Sequence, residues 1–139
     1  MLTYCPSPYP DELLYSLMAR LQERQGVPHG RQVLALAFGS AALSEVVSLP
    51  SHLGAFIRNV PPGHGWTVDG ILANHTLFPY FAPFGGPEHV AAARRDVEEG
   101  AGASARMRLG ATASRIGWPR RLRRCLACVV EDRHVYGET

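Results

Sequence analysis

With 139 residues, 46% of them hydrophobic and 19% charged, the chain is long enough for one ordinary domain with a real core and too short for two large ones. A formal net charge of +2 excludes a polycation, although lysine is absent and five of the fourteen arginines crowd between Arg115 and Arg124. Three cysteines cannot complete a disulfide framework, no run reaches the length of a membrane span, and the N-terminus carries neither a basic nor an apolar leader segment, so the cytoplasm is the expected compartment.

In chain order, Pro6 to Pro10 should be extended, because each proline disfavours the helical region for the residue before it. A helix is expected from Pro10 or Asp11, where proline suits the first turn and the acids suit the positive end of the helix dipole. Leu13, Leu14, Leu17, Met18 and Leu21 recur at helical spacing, with Arg20, Glu23 and Arg24 elsewhere on the wheel, and Gly26 and Pro28 end the segment. Val33 to Phe38 reads as a second helix capped by Gly39. Leu49-Pro50-Ser51 should start a third, with Leu53, Phe56, Ile57 and Val60 on one side and Pro61-Pro62-Gly63 stopping it. Short helices joined by tight turns predict a mainly α protein, a compact helical domain of helix-turn-helix type.

From Trp66 a fourth segment leads into His75-Thr-Leu-Phe-Pro-Tyr-Phe-Ala-Pro-Phe84. Four aromatics among two prolines cannot form an interior helix, so an irregular or turn-rich segment is expected. Its rings either pack onto the domain's own core, which burial preferences favour, or present a partner-binding surface of His75, Phe78, Tyr80, Phe81 and Phe84, since aromatics are enriched at interfaces. Pro87 to Glu99 reads as a moderately polar helix, Gly100 to Ser104 as a loop or hinge, and Arg106 to Ile116 as another helix ended by Trp118-Pro119.

Cys125 and Cys128 have the spacing at which one tight turn offers two thiolates to a metal ion, and zinc needs four ligands. His134 is a third candidate. A thioredoxin-like redox pair would need a strand before it and a helix after it, whereas an arginine-rich segment precedes this pair and a short polar tail is expected to follow. Arg115, Arg120, Arg121, Arg123 and Arg124 could grip phosphates through the planar guanidinium fork, form a solvated face, or pair with Glu131 and Asp132 across the cysteine turn. Ser51, Asp69 and His75 can be arranged on paper into a triad, but no Gly-x-Ser-x-Gly elbow surrounds a serine and no Walker-type glycine loop occurs, so no catalytic site is expected.

Pro10 to Arg20 (PDELLYSLMAR), Phe38-Gly39, Leu49-Pro50-Ser51, His75 to Tyr80, and Leu122 to Cys128 followed by Glu131-Asp132 and Tyr136-Gly137-Glu138 together resemble the TniQ/TnsD family of transposition proteins. The resemblance runs in order through nearly the whole chain, and its specificity lies in the combination. It implies a helical N-terminal domain, 1–116, followed by the start of a zinc-finger module, 117–139, with Cys125 and Cys128 as half of the zinc site. In the family a second ligand pair ending in histidine follows the Tyr-Gly-Glu segment, so this chain is expected to correspond either to the N-terminal part of the family pattern or to a natural minimal member trimmed at its second zinc half-site. The implied function is a non-enzymatic target-selection adaptor that recognises DNA, directly or through an RNA-guided effector complex, and recruits an AAA+ ATPase transposition regulator. Homodimer formation is compatible with it. The competing reading is a free-standing helix-turn-helix DNA-binding regulator, for which the segments before residue 90 are poor in arginine.

Overall fold

Leucine at helical spacing is what builds the first element. In a computed structural model, which describes residues 2–40, 47–113 and 125–137, helix α1 (Leu14–Gln25) buries Leu14, Leu17, Met18 and Leu21 and ends at Gly26, whose left-handed backbone turns its N–H onto the Gln22 and Glu23 carbonyls. The helix begins later than Pro10 or Asp11. Asp11 is left-handed at φ 57°, and the Glu12 carboxylate turns back to accept from the Tyr9 N–H at 3.0 Å and the Ser16 hydroxyl at 2.8 Å. Residues Tyr9 to Glu12 thus close a turn of their own ahead of the helix, sealed by the Glu12 N–H on the Tyr9 carbonyl at 3.1 Å.

Helix α2 (Gly30–Phe38) ends at Gly39 as its sequence predicts. Helix α3 (Leu53–Asn59) starts after the expected Leu49-Pro50-Ser51, because Leu49 and Pro50 are themselves buried and His52 is left-handed at φ 63°. It stops before the proline pair. Phe38 and Phe56 stack at 5.0 Å, and Trp66 adds a third ring 5.4 Å from Phe56. Helix α4 (Val68–Asn74) is capped by the Thr67 hydroxyl, which accepts from the Gly70 N–H at 3.0 Å.

The aromatic stretch is more regular than expected. It forms one helical turn, α5 (Phe78–Phe81), running into a 3-10 turn at Ala82–Phe84, and the two prolines sit in first-turn positions where their missing N–H groups cost nothing. Helix α6 (Pro87–Glu99) has the predicted limits. The supposed loop at Gly100 to Ser104 is mostly helix, since α7 (Gly102–Arg108) begins inside it. Its small residues permit close approach: a Cβ on Gly102 would lie 2.9 Å from the Ser51 Cβ, and one on Gly100 2.7 Å from the His52 ring. The helix expected from Arg106 to Ile116 instead ends at Arg108; Gly110 is left-handed and a 3-10 turn follows at Ala111–Ala113. Helix α8 (Leu126–Tyr136) begins directly after Cys125 and takes in Cys128, where the sequence predicts only a short polar tail behind the pair. The 116/117 boundary falls outside the described residues.

Among the described residues all regular structure is helical, and no helix is long and apolar enough to cross a membrane. Helix α1 packs on α2, α2 on α3, α3 on α4 and α6, and α6 on α7. The shared core is Leu14, Leu17, Leu21, Val33, Phe38, Leu49, Leu53, Phe56, Ile71, Ala93, Val97 and Ala105, with Leu2 and Cys5 brought in by the extended N-terminus.

That extended segment is fastened by one ion pair. Arg20 donates to both carboxylate oxygens of Glu12, at 2.9 and 2.6 Å, and to the Ser7 carbonyl at 2.8 Å. The two side chains are only 12% and 6% exposed. Burial alone would push the Glu12 carboxyl up, but hydrogen bonds from Arg20, the Tyr9 N–H and Ser16 outweigh it and hold the group below its ordinary value. A folded value below the unfolded one means stability that is complete above the unfolded carboxyl pKa, about 4.3 for glutamate, and lost as pH falls through the lower folded value. Arg20→Ala should therefore cost about 3 kcal/mol at neutral pH in urea unfolding, and the variant should lose less stability than the parent as pH falls below about 5.

Candidate interaction surface and thiol pair

The aromatic turn is mounted on backbone hydrogen bonds before its rings do anything. His75 ends α4 with its N–H on the Ile71 carbonyl at 2.9 Å, its carbonyl accepts the Leu14 N–H at 2.8 Å, and the Leu77 N–H donates to the Ser48 carbonyl at 3.1 Å. The His75 Nδ1 lies 2.7 Å from the Glu12 carbonyl; a carbonyl only accepts, so Nδ1 carries the proton. Thr76 is buried, its hydroxyl donating to the Leu72 carbonyl at 2.8 Å and accepting from the Phe78 N–H at 3.0 Å. The turn that follows cannot drift relative to α1 and α4.

On that mount the rings divide. Phe78 and Phe81 are partly buried against the core, whereas Tyr80 is 68% and Phe84 82% exposed. Tyr80 meets Phe81 edge-on at 5.1 Å and Phe84 edge-on at 6.4 Å. Of the five residues the sequence singles out here, two anchor, two face solvent, and His75 ties the turn to the N-terminal segment while stacking on Trp66 at 6.2 Å.

The paper triad is not assembled. Asp69 accepts from Arg94, the Ser51 hydroxyl lies 3.1 Å from the His52 Nδ1, and His75 is bound to the Glu12 carbonyl. Arg115, Arg120, Arg121, Arg123 and Arg124 lie outside the described residues.

Cys125 is the N-cap of α8 and Cys128 lies in its first turn, and both thiols are exposed. The N–H of Cys128, the Cys128 thiol and the N–H of Ala127 together hold the Cys125 thiol below its ordinary value. The Cys128 thiol is pushed up, first by its hydrogen bond with Cys125 and by that neighbour's charge, then by slight burial and by Asp132 and Glu131. His134, in the last turn of α8, stands about 9 Å farther along the axis than Cys128 at 1.5 Å per residue, and among the described residues no three histidines, cysteines or carboxylates cluster around a point.

Sequence reading missed the Glu12–Arg20–Tyr9 knot, because Arg20 falls on the polar side of the α1 wheel; its only signal was an acid placed eight residues ahead of it in a proline-rich turn. It also missed the groove of about 550 Å³ between α3 and α6, lined by His52, Arg58, Arg94, Arg95, Glu98 and Glu99. There Arg94 bridges Asp69 and Glu98, at 3.0 and 2.9 Å.

Residues 3–138 match the TniQ family. The chain is also 37% identical over 133 residues to the transposon Tn7 transposition protein TnsD of Escherichia coli, a match that takes in 96% of this chain and 26% of that protein. The chain thus spans about a quarter of the length of this relative.

The division of the rings has a direct check in urea denaturation. Phe78→Ala and Phe81→Ala should each destabilise by about 2 kcal/mol, below the cost of a fully buried ring. Tyr80→Ala and Phe84→Ala should stay within about 0.5 kcal/mol of the parent.

Proposed function

The chain belongs to the TniQ family, and from that premise we propose that it is a transposition target-selection protein acting as a non-enzymatic adaptor. It joins DNA, read directly or through an RNA-guided effector complex, to an AAA+ ATPase transposition regulator in the cytoplasm. The observation that carries the docking half is the exposed Tyr80–Phe84 pair on a turn fixed from three sides. Aromatic side chains already held in place lose little freedom on binding and are the usual energetic anchors of interfaces. Arg115, Arg120, Arg121, Arg123 and Arg124 supply the phosphate-facing half, with binding that weakens as salt rises.

Cys125 and Cys128 supply two of the four donors of a zinc site. Both thiols are exposed on one helical turn, and the helix N-terminus favours the thiolate form of Cys125, the form that binds metal. Zinc there would act as a structural cross-link, drawing α8 to the segment that brings the other two donors.

For the docking half, the double variant Tyr80→Ala, Phe84→Ala should bind the purified ATPase regulator at least about tenfold more weakly while keeping its helical circular dichroism. Equal affinity would remove the aromatic turn from the interface. For the metal, elemental analysis should find zinc in the parent and none in Cys125→Ser, Cys128→Ser; a zinc-free parent ends that part of the reading.

A further inference from the structure

Among the described residues helix α8, with Val129 alone half-buried, presents no buried face to the core. None of its residues is buried, Leu126 is 81%, Val130 67% and Val135 64% exposed, and among the described residues it shares no extensive packing with another helix. A helix in this condition has no orientation of its own relative to the body. Yet its last residue is committed: the Tyr136 ring, 40% exposed, lies 4.6 Å from the Tyr9 ring at an interplanar angle of 32°.

Tyr9 is the residue that the buried ion pair immobilises. The Arg20 guanidinium carbon sits 4.0 Å from the centre of its ring, within the range of a cation–π contact. Its N–H is held by the Glu12 carboxylate and its carbonyl by the Glu12 N–H. Arg20 is in turn fixed by Glu12 and the Ser7 carbonyl. The body therefore presents a pre-set ring, and no further ordering on that side opposes the contact.

We infer that Tyr9 is a positioning residue, and that its tilted ring contact with Tyr136 is the joint which sets the direction of the Cys125–Cys128 helix relative to the helical body. The thiols are toward the opposite end of the helix from the joint, with Cys125 about 16 Å and Cys128 about 12 Å away at 1.5 Å per residue. At that reach a change of about 10° at the joint moves the thiols by about 2 to 3 Å, comparable to a metal–sulfur bond length of about 2.3 Å. The joint consequently governs where in space the thiol pair is offered, and this consequence rests on reading the pair as a metal-binding half-site.

Hydrogen exchange of the intact chain, read by mass spectrometry with and without a chelator, tests the joint. Tyr136→Ala should speed exchange across Leu126–Tyr136 about two- to tenfold, the equilibrium weight of an aromatic pair, and leave α2 and α6 unchanged; Tyr136→Phe should keep the parent's protection. Tyr9→Leu is the decisive variant, because it leaves α8 untouched in sequence and fills the site on the body side. It should reproduce the faster exchange of α8. Parental exchange of α8 in Tyr9→Leu overturns the joint, as does an α8 already unprotected in the parent, whether or not zinc is bound. If Tyr9→Leu acts as expected in a zinc-free parent, the joint stands and only the metal reading falls.

Discussion

The buried pair of Glu12 and Arg20 is the constraint on which the rest of this structure hangs. A carboxylate and a guanidinium taken out of water are tolerable only when every lone pair and N–H finds a partner. Here the partners come from the extended segment on one side and α1 on the other. The proline-rich segment cannot fold into a helix and has few side chains to bury, so its path along α1 is set by this polar knot more than by apolar contact. Among its described residues Leu2, Cys5 and Pro6 are buried, and Pro8 and Tyr9 are half-buried.

From that knot two lines of fixed geometry lead outward. One passes through the Glu12 carbonyl to His75, and from there to the aromatic turn, whose Leu77 N–H is also held by Ser48. The other passes through Tyr9 to Tyr136 and α8. The two features that carry the proposed function, an exposed aromatic pair and a thiol pair, are thus referred to the same few residues. A rigid scaffold with its contact residues on short turns is how an adaptor keeps two partners in register without a large interface of its own.

Where local chemistry decided the outcome, the sequence was legible. Pro87 at the first turn and Gly100 just past the last fixed α6, and Gly39 fixed the end of α2. The errors have physical reasons. Gly100 to Ser104 reads as a loop because small residues lack an apolar pattern, yet their smallness is what lets α7 come against Ser51 and His52. The aromatic stretch reads as irregular because of its prolines. Once it is known to be helical, Phe78 and Phe81, three apart, fall inward, while Tyr80 and Phe84, four apart, fall outward, but nothing in the string says which pair faces the core. The start of α1 was misplaced because Asp11 and Glu12 resemble first-turn acids, while the long-range partner that pulls Glu12 out of the helix is eight residues away.

Helix α8 was illegible for a different reason. Its apolar residues form no stripe that faces the core, so periodicity has nothing to report, and an isolated helix of this length is marginal in water. Its ends must supply what its faces do not. At the C-terminal end Tyr136 rests on Tyr9, and at the N-terminal end the free N–H groups of the first turn are turned on the Cys125 thiol, favouring its charged form. An ion bound by Cys125 and Cys128 would complete that second end by tying the thiols to further donors. Among the described residues the aromatic contact of this helix with the body is at its C-terminal end, and a helix with so little of itself buried is oriented by what occupies its ends.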